Sequence, residues 1–516
     1  MTSRTTPTRP VITSLLTALL LFAFAPDAAR AGGPVVWETN SRAELLGGDA
    51  RGVSITDTGA LMLAPRFTQV FDTEQAYVWS TASDSSGAVY LGTGHDGKIF
   101  RVGADGRGAL LYDAAELDVT ALAVGRDGAL YAGTSPDGKV YRVSADGRAE
   151  VFFDPPDKYI WSLAVTSDGA LAVATGDTGK LYRVRASGAR PEDSLLVDIN
   201  ETHVISLALD REGNLIAGTD PGGLVLRVSP DGKVFALLDS PLREIHALAV
   251  APDNSIYALA LSEAASGPRP PTTTTQTTST AGGGSVSVSV TSGDIVESGA
   301  SPQFTGQPQA PERSRNDLQN ARTAVFRIPP EGGSDVLWSS NTVTAFAVAP
   351  APQGGAVLVG TADKGRIYSV TDEGRDTLLV QSSEDQISSF IVRGQQVYAA
   401  SSNQGRLFRF AAEPVAEGSY ESPVRDARLV ATWGRIRWRG RGQVELQTRT
   451  GNTERPDMTW SDWSAPYRDA AGTQVSSPRA RFIQWRATLR APSGVTLPAN
   501  TGARVEDVSL AFLPRN

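Results

Sequence analysis

Lys98-Ile-Phe-Arg101-Val102 returns as Lys139-Val-Tyr-Arg142-Val143 and again as Lys180-Leu-Tyr-Arg183-Val184. Looser copies follow: Leu224-Val-Leu-Arg227-Val228, Ala324-Val-Phe-Arg327-Ile328, Arg366-Ile-Tyr-Ser369-Val370 and Arg406-Leu-Phe-Arg409-Phe410. Their fourth residues lie 41, 41, 44, 100, 42 and 40 positions apart. A period near 41, carried by short strands and Gly turns, is the mark of a β-propeller. The seven copies predict seven blades, with an insertion in the 100-residue step.

Each unit reads as four strands. In the second unit they are Val119 to Val124, Ala129 to Thr134, Lys139 to Val143 and Ala149 to Asp154, separated by Asp-Gly turns. Asp-Gly supplies the positive φ that tight hairpins require. First strands are expected near Val78, Val119, Ile160, Val204, Ile245, Val343 and Ile387. The seventh unit stops at Phe410 without a fourth strand, and Arg66-Phe-Thr-Gln-Val-Phe-Asp72 supplies a match for it. That N-terminal strand is expected to complete the last blade, which leaves no open edge to pair with other chains.

The chain has 516 residues, no cysteine and a net charge of −8. Residues 1–31 read as a secretory signal peptide, with Arg4 and Arg9, an apolar run from Val11 to Ala25, and Ala29-Arg30-Ala31 for cleavage. Its removal takes the net charge to about −10. An acidic chain is poorly suited to nucleic acid, which rewards a basic surface. The absence of cysteine excludes disulfides, thiolate metal sites and a Cys nucleophile. The expected location is periplasmic or secreted, with no integral membrane segment after cleavage.

Residues 262–322 fall between the second and third strands of the fifth unit. Pro270-Pro-Thr-Thr-Thr-Thr-Gln276 and Gly282-Gly-Gly-Ser285 make them low in complexity, and they are expected to be disordered. Residues 32–64 carry a hairpin-like stretch from Gly52 to Leu63. Residues 415–516 carry expected strands at Arg428 to Trp433, Arg435 to Trp438, Val444 to Arg449, Arg481 to Leu489 and Val505 to Leu513. Gly418-Ser-Tyr-Glu-Ser-Pro-Val424, with Trp460-Ser-Asp-Trp-Ser464 and Arg481-Phe-Ile-Gln-Trp-Arg486, resembles discoidin-like (galactose-binding-like) jelly rolls of bacterial extracellular proteins. The propeller, residues 65–414, resembles the NHL-like and two-component-regulator propeller superfamily through its period and its Tyr-x-Gly-Thr and Tyr-Arg-Val phrases. The resulting expectation is an all-β chain. Its seven-bladed propeller is inserted into, or followed by, a jelly-roll β-sandwich built from 415–516 and, in the inserted form, from 32–64 as well.

Equivalent residues of a propeller share a height and a radius, so rows of the repeat mark candidate sites. One row at the start of the first strands reads Tyr77, Asp118, Tyr159, His203, Glu244, Thr342, Gln386. A second, two residues on, reads Trp79, Thr120, Trp161, Ile205, His246, Thr344, Ser388. Tyr77, Trp79, Asp118, Tyr159, Trp161, His203, Glu244 and His246 are the candidate ligand-binding residues, at the channel mouth. The competing reading has Trp79 and Trp161 packing between blades. The loops above the mouth are acidic, with Glu116, Asp157, Glu201 and Glu384 among them. None has the spacing of a calcium loop, and turn bonding is the simpler role. No metal, cofactor or catalytic motif is identified. The expectation is a non-enzymatic binding or scaffold protein that recognises a protein or carbohydrate partner with the propeller's top face. The alternative is a propeller hydrolase or lyase in which Glu201 and Glu244 orient His203 and His246.

Overall fold

A computed structural model describes residues 33–263, 317–492 and 502–515. Residues 1–31, read as a signal peptide, and most of the low-complexity stretch 262–322 lie outside the described residues. Of that stretch, 262–263 and 317–322 are described, and Leu318 and Ala321 pack on the fifth blade's core. The expected disordered span is therefore too wide at its C-terminal end. The chain divides into two compact units: Pro65–Pro414, and the residues up to Ala64 together with those from Val415 onward.

Pro65–Pro414 is a seven-bladed propeller of antiparallel four-stranded sheets. Blade 1 is Tyr77–Ser83, Val89–Gly94, Lys98–Val102 and Gly108–Asp113. Blade 7 is Gln386–Arg393, Gln396–Ser402 and Arg406–Pro414, completed by Pro65–Asp72. Arg406 stands opposite Asp72 and Phe410 opposite Phe67, so the N-terminal strand closes the ring. First strands pack blade to blade around the centre, and the seventh meets the first.

The repeat's composition follows from that packing. Val78, Val119, Ile160, Val204, Ile245, Ala345 and Ile387 are fully buried, wedged between consecutive sheets. Burying a Val- or Ile-sized side chain contributes about 1.5–3 kcal/mol. In four blades the Gly-Thr of the second strand makes room for the next blade's side chain. A Cβ on Gly133 would lie 2.5 Å from Ile160, and one on Gly360 would lie 2.6 Å from Ile387. The Thr beside each is buried and donates to the third strand, as Thr93 Oγ1 does to Lys98 O at 3.0 Å.

The sixth blade corrects one expected register. Its first strand runs Ala345–Pro350, two residues later than Val343 implied. Ala345 pairs with Thr361 as Val78 pairs with Thr93. Ser340 Oγ accepts the amides of Thr342 and Val343, which keeps those residues in the preceding turn.

In the second unit, Val35–Thr39 pairs with Arg504–Pro514, Asp49–Arg51 with Glu417–Glu421, and Val53–Ile55 with Leu61–Leu63. N-terminal and C-terminal strands thus share one sheet system around fully buried Trp485 and Tyr420. The two strands expected on either side of Gly434 are one 17-residue strand, Arg425–Arg441. The register slips between Trp433 and Ile436 instead of breaking. Gly434 fits there because a Cβ would meet Ala511 O at 3.0 Å.

Candidate functional site

Every first strand of the propeller carries a β-bulge at one and the same position. The register shifts fall at Val78/Ser80, Val119/Ala121, Ile160/Ser162, Val204/Ser206, Ile245/Ala247, Ala345/Ala347 and Ile387/Ser389. The residue skipped by the ladder is Trp79, Thr120, Trp161, Ile205, His246, Phe346 or Ser388. A bulge re-aims its side chain, and here all seven line one central cavity of about 280 Å³. In the sixth blade the lining residue is Phe346, not Thr344, and Thr342 lies outside the row altogether.

Two blades build the same aromatic platform. In blade 1 the rings of Tyr77 and Trp79 stack at 5.0 Å and 3°; in blade 3 those of Tyr159 and Trp161 stack at 5.2 Å and 14°. Each indole then donates to the next blade. Trp79 Nε1 reaches Asp118 Oδ1 at 3.2 Å, and Trp161 Nε1 reaches His203 Nδ1 at 3.1 Å. Thr120 Oγ1, at the bulge between them, donates to Ile160 O. The second strand ends in glycine in just these two platform blades. A Cβ on Gly94 would lie 1.9 Å from Trp79 Nε1, and one on Gly176 would lie 2.1 Å from Trp161 Nε1. Packing between blades and presentation at the mouth are therefore joined in the same indoles. Trp79 keeps 40% of its surface exposed.

All three histidines of the chain stand at this end of the ring. His246 Nδ1 lies 2.7 Å from Oε1 of buried Glu244, with its ring edge-on to Phe346 at 5.4 Å. The Glu201 carboxylate accepts the Gly222 amide through Oε2 at 3.1 Å, while Nδ1 of His203 meets Trp161 and the Asp177 amide. His95, which the first-strand rows do not contain, sits on the turn after Gly94. Its ring is T-shaped to Tyr77 at 4.9 Å, and its amide donates to Asp118 Oδ1 at 3.0 Å. Asp177 holds the equivalent place after Gly176, with its amide 3.4 Å from His203 Nδ1. The pairing of Gly94-His95 with Gly176-Asp177 was the available sequence signal for His95.

The acidic loops have other work. Glu116 accepts Lys139 Nζ at 2.9 Å and Tyr141 OH at 3.1 Å, and Asp157 accepts Tyr182 OH at 2.9 Å. Both carboxylates are buried, and each pins its loop to the blade that supplies its partner. Burial, then hydrogen bonding to the carboxylate, pushes the Tyr141 and Tyr182 phenols well above the usual tyrosine range. Among the described residues no cluster of three or more His, Cys, Asp or Glu is arranged to hold a metal.

The Trp460–Trp463 segment is engaged internally. Guanidinium groups of Arg449 and Arg486 lie 4.5 Å from the Trp463 ring, and Trp460 is buried with its N–H on Thr453. This is a cation–π ladder across the sheet.

No protein-family profile and no curated protein sequence matches the chain. Its fold is similar to that of virginiamycin B lyase from Staphylococcus aureus, at 12% identity and a TM-score of 0.48 over 67% of this chain and 99% of that one. It is similar as well to YCF48 bound to D1 peptide (11%, 0.47, 68% and 98%) and to the WD40 β-propeller domain of Doa1 (12%, 0.46, 67% and 97%). At such identities the likeness is one of fold.

Proposed function

We propose that the chain is an exported binding protein whose propeller mouth recognises a carbohydrate or a protein segment through the Tyr77–Trp79 and Tyr159–Trp161 platforms. The observation that carries this reading is the fixed indole. With Nε1 held by the neighbouring blade and one face covered by tyrosine, Trp79 still presents surface to the mouth. A preorganised aromatic face costs little ordering on binding and suits a sugar ring or a planar group. Export is the companion proposal, drawn from the composition of residues 1–31. Among the described residues no helix is long and apolar enough to cross a membrane. We read the unit formed by residues 33–64 and 415–515 as a discoidin-like sandwich whose chain is interrupted by the propeller.

The test is a glycan and peptide screen of the wild type, Trp79→Ala and Trp161→Ala, with melting temperatures measured alongside. Loss of a ligand's affinity by about 2 kcal/mol or more in either variant is expected for a desolvated aromatic anchor. Unchanged binding with lower melting temperatures would make the indoles wedges and nothing else.

One observation favours a second reading, a lyase or hydrolase. His246 and Glu244 form a carboxylate-oriented imidazole at the cavity wall, the arrangement a general base needs. His246→Asn would abolish turnover on that reading and leave ligand capture by the platforms intact.

A further inference from the structure

The two platforms differ in the atom that accepts the indole proton and in the residue after the glycine, His95 in blade 1 and Asp177 in blade 3. The acceptor is a carboxylate oxygen of Asp118 in blade 1 and an imidazole nitrogen of His203 in blade 3. The turn amides repeat the pattern, His95 N donating to Asp118 and Asp177 N to His203. We infer that Asp118 and His203 are positioning residues for Trp79 and Trp161, and that the acceptor of the indole proton is proton-sensitive in the third blade and not in the first. The inference rests on reading the mouth as the ligand site.

An indole N–H can only donate, so the nitrogen 3.1 Å from it has to accept. Nδ1 of His203 therefore carries the lone pair, and the neutral ring holds its proton on Nε2. The next proton has to enter at Nδ1, where two N–H groups already point. Once it does, both ring nitrogens are donors, Trp161 loses its acceptor, and N–H faces N–H. In blade 1 the acceptor is a carboxylate oxygen rather than a ring nitrogen, and the imidazole beside it is His95, whose Nδ1 lies 3.8 Å from Asp118 Oδ1.

The surroundings of His203 are charged on several sides. Asp220 lies directly across the ladder and is held by Arg243 at 2.9 Å. Asp177 is paired with Lys158 at 3.1 Å, Glu201 with the Gly222 amide, and Tyr159 meets the imidazole edge-on at 6.2 Å. The indole and the Asp177 amide both point at Nδ1. Acidification thus frees Trp161 to leave its stack while Trp79 stays aimed, and a ligand that spans both platforms loses one of them.

The test uses the whole chain labelled with 5-fluorotryptophan and no ligand. Trp161→Phe and Trp79→Phe assign the two fluorine resonances, and spectra are taken from about pH 8 to about pH 5, the span in which histidines titrate. A His95→Gln background keeps the imidazole beside Tyr77 and Asp118 from moving Trp79. The Trp161 resonance is expected to shift with one midpoint while Trp79 stays still. His203→Asp should flatten the Trp161 response, and Asp118→His should transfer it to Trp79. If His203→Asp does not fold, His203→Asn offers an oxygen acceptor that does not titrate. A stationary Trp161 in the wild type, or a response that survives replacement of His203, overturns the inference. Failure of the ligand screen would instead sink the mouth reading and leave this titration standing.

Discussion

A single methyl group is enough to test how the indoles are held. Gly94→Ala and Gly176→Ala place a Cβ inside the space of Trp79 Nε1 and Trp161 Nε1. Both are expected to expel the indole from its hydrogen bond and to abolish the binding proposed for the mouth. The melting temperature should fall by only a few degrees, since the interblade β-branched core is untouched. Calorimetric titration beside a thermal melt reads both effects. A second prediction concerns acid. Thr166 Oγ1, and then the Arg183 guanidinium, hold the Asp168 carboxyl down from 3.8 to about 2. Its folded value is depressed, so its contribution is complete above the unfolded value and disappears as the pH falls through about 2. The wild type should out-melt Asp168→Asn above about pH 4, and the two curves should converge between there and about pH 2. At this scale the sequence was legible where equivalent rows of the repeat carry the same residue type, as Tyr77 and Tyr159 do, and Trp79 and Trp161 after them. It was silent on acceptors, because a lone Asp118 or His203 gives no sign of which blade's indole it serves.

At the scale of strands, closure is the feature open to test. Phe67 stacks on Phe408 at 4.8 Å and meets Phe410 at 4.7 Å. Asp72 takes Arg406 Nε at 2.8 Å. Phe67→Ala should cost about 2 kcal/mol, the loss expected for a half-buried aromatic in a pair. A chain beginning at residue 74 leaves Arg406–Pro414 as an open edge and should aggregate. Urea melts and light scattering check the two outcomes; a truncated chain that melts like its parent would refute closure. The closing strand was readable in the sequence because Phe71 precedes Trp79 by the same interval as Phe153 precedes Trp161. Blade 6 was not, because β-branched Val343 imitates a position that its blade fills with Ala345. The phrase Phe346-Ala-Val-Ala349 is aligned with His246-Ala-Leu-Ala249 and would have set the register. Bulges have no residue signature of their own, so the repeat row marked six of the seven mouth residues but not the register shift that aims them.

At the scale of the molecule, the long connection in blade 5 is held at both ends by the blade itself: Ser262 N donates to Arg322 O at 3.0 Å. Replacing residues 264–316 by a short Gly linker should change stability by no more than about 1–2 kcal/mol, since each halving of a loop alters closure by about 0.6 kcal/mol. A larger loss in a denaturant melt would mean that the segment packs on the ring. Closure also sets a clock on biosynthesis. Asp72 waits 334 residues for Arg406, which at about 5–20 residues per second is roughly 15–70 s of translation. Through that interval the strand Pro65–Asp72 has been made and its partner has not. Its outward residues Arg66, Thr68 and Gln69 are polar, and a proline stands at its head. Those are the residues that keep a lone strand from joining the wrong neighbour. The ring's last joint is thus made by the propeller's oldest segment.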